Sequence, residues 1–194
     1  MTRKTVLIDS CAWNKLWERN VQLLEEQGTD LCFTISTYGE QEIPDPAQET
    51  KSENAKAVGA YIKEQMHALQ MEPIQRLQLV DSETSLDVGI RLGDLAPDGS
   101  VSRGGFLSSV EGRAYVEDPS RHKKIGGKTG SKIKGSGLPS NLTDVDYGEW
   151  SIDLGPLVTD NVKDFKDAGN IIDISLWHDG SFGDFVRKQL AQFA

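Results

Sequence analysis

Apolar segments rich in β-branched residues alternate with helical segments along this chain, and the alternation constrains the fold more than any other feature. The pattern predicts strands over residues 4–9, 30–35, 156–159 and 171–174. It predicts helices over residues 10–27, 36–43, 52–71, 144–153, 162–168 and 182–193. Strands that alternate with helices are typical of a parallel sheet with helices on both faces. The predicted fold class is therefore α/β, with a parallel sheet in a three-layer α/β/α arrangement.

Side chains and composition refine this outline. Ser10 and Ser36 are the predicted N-caps of the helices that follow the first two strands. No internal repeat or linker divides the 194 residues, so we predict a single domain over 1–194. Residues 93–141 contain ten glycines and predict an insertion with one helix at about 106–116. Two further extended segments are predicted at 77–80 and 88–92.

The chain has the features of a cytoplasmic protein. Its two cysteines, Cys11 and Cys32, lie in apolar runs and cannot form a disulfide framework. No apolar run approaches the ~18 residues of a membrane span, and the first strand follows Met1 too closely for a signal peptide. We therefore expect no membrane association and a cytoplasmic location.

The distribution of charge is uneven. A formal net charge of −9 argues against non-specific binding to nucleic acid or anionic membranes. Residues 119–143, however, contain no acid. Their six cations are Arg121, Lys123, Lys124, Lys128, Lys132 and Lys134. We expect this cationic segment to be solvated and to bind the RNA backbone, and the alternative is a solvated insertion without a role.

Acidic residues follow the predicted strands. Because the carboxyl ends of parallel strands meet at one edge of a sheet, acids from four segments should converge there. The acids are Asp9, Glu40, Glu42, Asp144, Asp146 and Asp160. Unpaired carboxylates repel one another, and Mg²⁺ or Mn²⁺ removes that repulsion. A helix cap or a solvated surface position is an equally good interpretation of any single acid.

Four motifs carry a resemblance to a known family. Residues 6–13 (VLIDSCAW) resemble the opening of a PIN domain, whose first strand ends in the leading metal-binding Asp. Residues 157–165 (LVTDNVKDF) are similar to the family's late motif T-x-[DN]-x-x-D-F. Ile35–Ser36 with Glu42–Ile43 resembles the segment that supplies the second acid. Residues 144–151 (DVDYGEWS) resemble the D-x-x-I-A-A-x-A helix that supplies the third.

The resemblance implies a site and an activity. PIN domains are metal-dependent ribonucleases, and many small bacterial members are toxins held by an antitoxin protein. Carried over, the catalytic acids would be Asp9, Glu42, Asp144 and Asp160. The metal site would consist of Asp9, Glu42, Asp144, Asp160, Asn161 and Asp164, holding Mg²⁺ or Mn²⁺. Glu40 competes with Glu42 for the second position.

Three functions follow from these patterns. The leading hypothesis is a metal-dependent endoribonuclease that hydrolyses RNA phosphodiester bonds, with an antitoxin or a second copy of the chain as protein partner. The second is a catalytically degenerate PIN-like module that binds RNA or a protein. The third is an enzyme that forms an aspartyl phosphate on Asp9, which the pattern disfavours because Cys11 stands where such an enzyme needs a second acid.

Overall fold

A computed structural model describes residues 3–48, 52–76, 94–95, 101–102, 105–118, 137–138 and 141–193. Its elements in chain order are β1 Lys4–Ile8, α1 Ser10–Glu18, α2 Leu23–Glu26, β2 Leu31–Thr34, α3 Thr37–Gln41, α4 Glu53–Leu69, β3 Gln75–Arg76, β4 Asp94–Leu95, β5 Val101–Ser102, β6 Gly105–Phe106, α5 Val110–Glu117, α6 Leu142–Asp153, β7 Leu157–Thr159, β8 Ile171–Asp173 and α7 Phe182–Leu190. Two 3-10 helices span Val162–Phe165 and Ile174–Leu176.

The central sheet has four strands in the order β2-β1-β7-β8, and all of them are parallel. The register places Val6 beside Phe33 and Ile8 beside Val158. The predicted α/β class with a parallel sheet is therefore confirmed. Since the chain leaves β1 first toward β2 and later returns to β7 on the other side, the strand order reverses at β1. Ligands of open α/β sheets bind at such a point, at the carboxyl ends of the strands.

Helices pack on both faces of this sheet. Val6 and Ile8 are buried in a large cluster with side chains of α1, α4 and α7. Leu7 points to the opposite face, because successive side chains of a strand alternate. There it packs with Tyr147 and Trp150 of α6. These two clusters account for the strand segments that are apolar on both faces.

Helix α6 is held in place by a buried ionic contact. The Arg76 guanidinium lies 3.8 Å from the centre of the Trp150 ring and pairs with the Asp153 carboxylate. Ser109, at the start of α5, donates a hydrogen bond to the same carboxylate. Gly148 allows the close approach of α5, since a Cβ at that position would lie 2.0 Å from the Tyr115 hydroxyl. Residues far apart in sequence thus fix the orientation of α6.

The first predicted helix is shorter than expected. We predicted one helix over 10–27, but α1 ends at Glu18 and α2 begins at Leu23. Asn20 adopts a left-handed conformation with φ of 50°, which asparagine tolerates at a helix end. The interruption turns Leu24 outward, and 53% of its surface is exposed. Helical spacing alone did not reveal this break.

The helix caps agree with prediction at one of two positions. The Ser36 hydroxyl accepts a hydrogen bond from Gly39 N, as predicted. The predicted cap at Ser10 is wrong, since the Asp9 carboxylate caps α1 and Ser10 is its first residue. A carboxylate is an equally good N-cap acceptor, and here it immediately precedes the helix.

The insertion predicted at 93–141 is described in part. Helix α5 corresponds to the helix predicted at about 106–116, and β6 pairs with β3. The extended segments predicted at 77–80 and 88–92 lie outside the described residues. So does the cationic segment from Arg121 to Lys134.

Candidate functional site

Asp9 lies at the carboxyl end of β1 and is 6% exposed. Its Oδ1 accepts a hydrogen bond of 2.6 Å from Ser10 N. Its Oδ2 accepts one of 2.7 Å from Thr159 Oγ1 and one of 2.9 Å from Cys11 Sγ. Three donors from two elements therefore hold both oxygens of this carboxylate in one orientation.

The electrostatic environment of Asp9 is unfavourable for a charge. Burial raises the pKa of the Asp9 carboxyl above its usual range, and the hydrogen bonds from Cys11, Thr159 and Ser10 offset part of this rise. The nearby charge of Glu42 raises the pKa further. Burial and the neighbouring Asp9 carboxylate raise the pKa of the Cys11 thiol to about 12, so this thiol is protonated and donates. Cys11 is thus a hydrogen-bond partner of Asp9.

The structure distinguishes Glu42 from Glu40. Glu42 follows α3, is half-buried, and its Oε2 accepts a hydrogen bond of 3.3 Å from Ser10 Oγ. Glu40 is exposed. Two residues apart on a helical turn, their side chains point in directions roughly 200° different. Glu42 is therefore the acid that lies beside Asp9.

Asp144 and Asp146 both lie in the first half of α6 but in different surroundings. Asp144 is half-buried in the first turn. Asp146 is 7% exposed, and its Oδ2 has no hydrogen-bond partner among the described residues. Burial raises the pKa of the Asp146 carboxyl to about 6, although Ser36 and the Arg76 guanidinium favour its charged form.

Tyr147 of α6 lies close enough to Asp9 and Asp146 for both charges to act on its hydroxyl. Its ring is 1% exposed, and its hydroxyl interacts with Ser36. Burial and the charges of Asp9 and Asp146 raise the pKa of the Tyr147 hydroxyl, which therefore stays protonated. A Cβ on Gly39 would lie 2.0 Å from this hydroxyl, so the small residue in α3 makes room for it. The ring packs in one cluster with Leu7 of β1.

The late motif lies at the end of β7. Asp160 forms an ion pair of 3.1 Å with Lys15 and is 45% exposed. Asn161 N donates to Thr159 Oγ1 at 3.0 Å, and the Asn161 side-chain amide donates to Asp164. These bonds form a compact turn against the Asp9 network.

The predicted ligands Asp9, Asp160 and Asn161 lie at the carboxyl ends of adjacent strands with Glu42 beside Asp9, but the predicted set does not form a closed cage. Within the described residues, no group of three or more acidic, histidine or cysteine side chains has the spacing of a metal site. Glu42 is close enough to Asp9 for its charge to raise the pKa of the Asp9 carboxyl. One or two carboxylates completed by water are what Mg²⁺ commonly uses. The donor set of this acid pair therefore fits such a cation.

Sequence reasoning did not assign three residues that contact the predicted acids. Thr159 and Cys11 both donate to Asp9 Oδ2, and the Tyr147 hydroxyl lies within the electrostatic influence of Asp9 and Asp146. Thr159 occupies the threonine position of the late motif. The motif therefore indicated this residue but not its hydrogen bond to Asp9. For Cys11 and Tyr147, the sequence indicated only that they stand next to predicted acids.

Comparisons with known proteins identify no relative. No protein-family model, curated protein or solved structure matches the chain. In the parts of the chain that the structure describes, every helix is too short or too polar to cross a bilayer.

Proposed function

We propose that this chain is a divalent-metal-dependent endoribonuclease with a PIN-like fold that hydrolyses RNA phosphodiester bonds at the carboxyl edge of its sheet. The observation that carries the proposal is the Asp9 carboxylate, which is buried, oriented by three donors and placed beside Glu42. Two adjacent carboxylates at a strand-order reversal are costly for stability, and such strained arrangements concentrate at functional sites.

Asp9 and Glu42 would hold the cation, Mg²⁺ or Mn²⁺, with water in the remaining positions. When bound, such a cation supplies an activated water and stabilises the leaving oxygen in phosphodiester hydrolysis. The protein contributes orientation: Thr159 and Cys11 fix one oxygen of Asp9, and Ser10 joins both acids through its amide and its hydroxyl.

The remaining predicted ligands would join this site only after a rearrangement, since the described acids form no group of three with the spacing of a metal site. The Lys15–Asp160 pair is solvent-accessible, and such pairs contribute only about 0–1 kcal/mol. Asp160 can therefore exchange Lys15 for a cation. Asp144 lies three residues before Tyr147, on a neighbouring part of the helix surface, and Asn161 and Asp164 border the same edge.

The experiment is cleavage of a labelled single-stranded RNA by the full chain with Mg²⁺ or Mn²⁺ and with excess chelator. We expect cleavage that requires the metal, and a loss of at least about 100-fold for Asp9→Asn. Asp9→Asn should retain the fold, because removing a buried charge relieves repulsion with Glu42. Undiminished cleavage by Asp9→Asn, or in chelator, contradicts the proposal.

Asp173→Asn is the matched control. Asp173 also ends a strand of the sheet and also accepts a backbone hydrogen bond, from Ser175 N at 2.9 Å. It is the register partner of Thr159, but its carboxylate accepts from Ser175 N and not from the donors of Asp9, so its substitution should leave cleavage unchanged. Equal losses in both variants would indicate a general effect on strand ends.

A second candidate is a catalytically degenerate PIN-like module that binds RNA or a protein. It is favoured by the ion pair that occupies Asp160 and by the lack of a three-acid metal group among the described residues. This module would bind RNA equally well with and without divalent metal and would leave it uncut.

The resemblance to PIN domains also implies a protein partner, an antitoxin that would inhibit the nuclease. A toxin of this kind would arrest the growth of bacteria that express it. Asp9→Asn would restore growth if the arrest depends on cleavage, and unchanged arrest by this variant would separate toxicity from nuclease activity.

A further inference from the structure

Lys15 of α1 lies at the same edge of the sheet as the acids of the proposed site. Its Nζ lies 3.1 Å from Oδ1 of Asp160, at the end of β7. Asp160 N donates a hydrogen bond of 3.1 Å to Cys11 Sγ, and Cys11 Sγ donates one of 2.9 Å to Asp9 Oδ2. Two residues, Asp160 and Cys11, therefore connect the Lys15 ammonium group to the carboxylate that carries the proposed function.

The geometry of α1 directs the Lys15 side chain toward the site. Lys15 follows Cys11 by about one helical turn, so the two residues lie on the same face of the helix. Side chains on a helix lean toward its N-terminus, and α1 begins at Ser10, directly after Asp9. The Lys15 side chain is 29% exposed, so its ammonium group can be reached from solvent. The helix therefore presents an accessible cation to the edge of the sheet that bears the acids.

The charge balance of the site favours a cation when RNA binds. Asp9, Glu42 and Asp160 carry three negative charges when ionised, and one Mg²⁺ or Mn²⁺ ion neutralises two of them. The negative charge that remains repels an RNA phosphate, which is itself an anion. The Lys15 ammonium group supplies the positive charge that neutralises it.

We propose that Lys15 binds the RNA phosphate at which cleavage occurs, and that its ammonium group exchanges Asp160 for this phosphate when a divalent cation occupies the site. The inference rests on the proposed function, which supplies RNA as the substrate and the cation as the new partner of Asp160. An ammonium group has three donors, and the contact with Asp160 uses one of them. Lysine binds phosphate as a point charge on a flexible side chain, so the exchange requires no movement of α1.

The first experiment compares the cleavage of a labelled single-stranded RNA by the full chain and by its Lys15 variants in Mg²⁺ or Mn²⁺. A cation beside a reacting phosphoryl group stabilises the charge that develops in the transition state. Lys15→Gln should therefore lower the cleavage rate at saturating RNA by at least about tenfold. Lys15→Arg keeps the charge and should retain most of the rate. Equal rates of Lys15→Gln and the unaltered chain, or equal losses in the Gln and Arg variants, overturn the inference.

Lys63→Gln is the matched control. Lys63 of α4 is also a solvent-accessible lysine that pairs with an aspartate, and its Nζ lies 3.0 Å from Asp45 Oδ1. Asp45 is not one of the predicted site acids, so Lys63→Gln should leave the cleavage rate unchanged. Comparable losses in Lys15→Gln and Lys63→Gln would indicate a general effect of surface charge and would overturn the inference.

A binding experiment separates the phosphate contact from the ion pair with Asp160. Asp160→Asn removes the carboxylate partner of Lys15 and leaves the ammonium group in place. The measurement is RNA affinity in this background and in excess chelator, which removes the metal that cleavage requires. Adding Lys15→Gln should weaken RNA binding and flatten the dependence of log affinity on log salt concentration by about 0.7. If Lys15 acted only through its pair with Asp160, this second substitution would change neither quantity, and that result overturns the inference.

The binding experiment does not depend on catalysis, so the nuclease and the role of Lys15 can fail separately. If the unaltered chain does not cleave RNA but the double variant shows the flattened salt dependence, the nuclease is refuted and Lys15 is retained as a phosphate-binding residue. If metal-dependent cleavage proceeds equally fast in Lys15→Gln and in the unaltered chain, the nuclease is retained and the role of Lys15 is refuted.

Discussion

Thr159 Oγ1 donates a hydrogen bond of 2.7 Å to Asp9 Oδ2, joining two residues that are 150 positions apart in the chain. Both residues stand at the ends of adjacent parallel strands, and Thr159 is fully buried. The hydroxyl favours the charged form of the Asp9 carboxyl against the effect of burial. This bond therefore contributes to both the orientation and the ionisation of the residue on which the proposed activity depends.

Replacing Thr159 with Val should destabilise the protein, because Val keeps the shape of the side chain but cannot donate. The buried carboxylate then lacks one donor, which costs about 1–3 kcal/mol of unfolding free energy. The loss should be larger at pH 8 than at pH 5, since the bond stabilises the ionised form. Denaturant unfolding at the two pH values measures it. Thr159→Ser retains the hydroxyl and should recover most of the loss; equal effects of Val and Ser contradict the prediction.

A comparison of Glu42→Gln with Glu40→Gln tests which acid serves the site. Glu42 is half-buried beside Ser10, whereas Glu40 is exposed. We expect the Glu42 variant to lose at least about 100-fold in the rate of RNA cleavage, and the Glu40 variant to retain the rate of the unaltered chain. The two substitutions change charge equally on one short segment, so each controls for the other. A larger loss at Glu40 would show that the second acid has been assigned wrongly.

The order of the elements was predictable because it depends on local patterns. The strand expected at 30–35 is β2, Leu31–Thr34, and the helix expected at 52–71 is α4, Glu53–Leu69. The Ser52 hydroxyl accepts a hydrogen bond from Ala55 N, so the start of this helix is encoded within four residues. Such patterns of a few neighbouring residues can be recognised in the sequence without knowledge of any tertiary contact.

The partners of the site acids were not predictable, because they depend on distant contacts. The burial of Asp146 follows from the orientation of α6, which Arg76 fixes from another part of the chain. The break after α1 follows from the conformation of Asn20, and apolar spacing continues past it. The positions of Asp9 and Glu42 relative to one another follow from the parallel pairing of β1 and β2. The sequence motif indicated the acids but not the hydroxyl and thiol that hold them.

Asp146 should make the protein less stable as the pH rises. Its pKa is raised by burial from 3.8 to about 6, so the folded state binds the proton more tightly than the unfolded state. Unfolding free energy should therefore fall between about pH 4 and pH 6, by up to about 3 kcal/mol. Asp146→Asn removes this contribution and should be more stable than the unaltered chain at pH 7 but not at pH 4.

Asp153→Asn is the control with the opposite sign. Burial raises the pKa of the Asp153 carboxyl, but hydrogen bonds from Ser109 and Arg76 outweigh it and hold the pKa below the usual range. Its ionised form therefore stabilises the fold above the pKa of the unfolded chain, and Asp153→Asn should lose stability at pH 7. Parallel denaturant curves at pH 4 and pH 7 compare the two variants. Changes of the same sign in both would contradict the assignment of Asp146.

The cationic segment should bind RNA through its phosphates. Each phosphate neutralised on a single strand contributes a slope of about −0.7 in the dependence of log affinity on log salt concentration. The substitution of Lys123, Lys124 and Lys128 together by Ala should therefore weaken RNA binding and flatten that slope by up to about 2. Affinity for Mg²⁺ should stay nearly unchanged, because lysine side chains do not coordinate the cation. Binding of a labelled single strand is measured between low and moderate salt with the Asp9→Asn background, which prevents cleavage. Equal affinity of the triple variant and its parent at low salt would show that the segment is not the RNA-binding element.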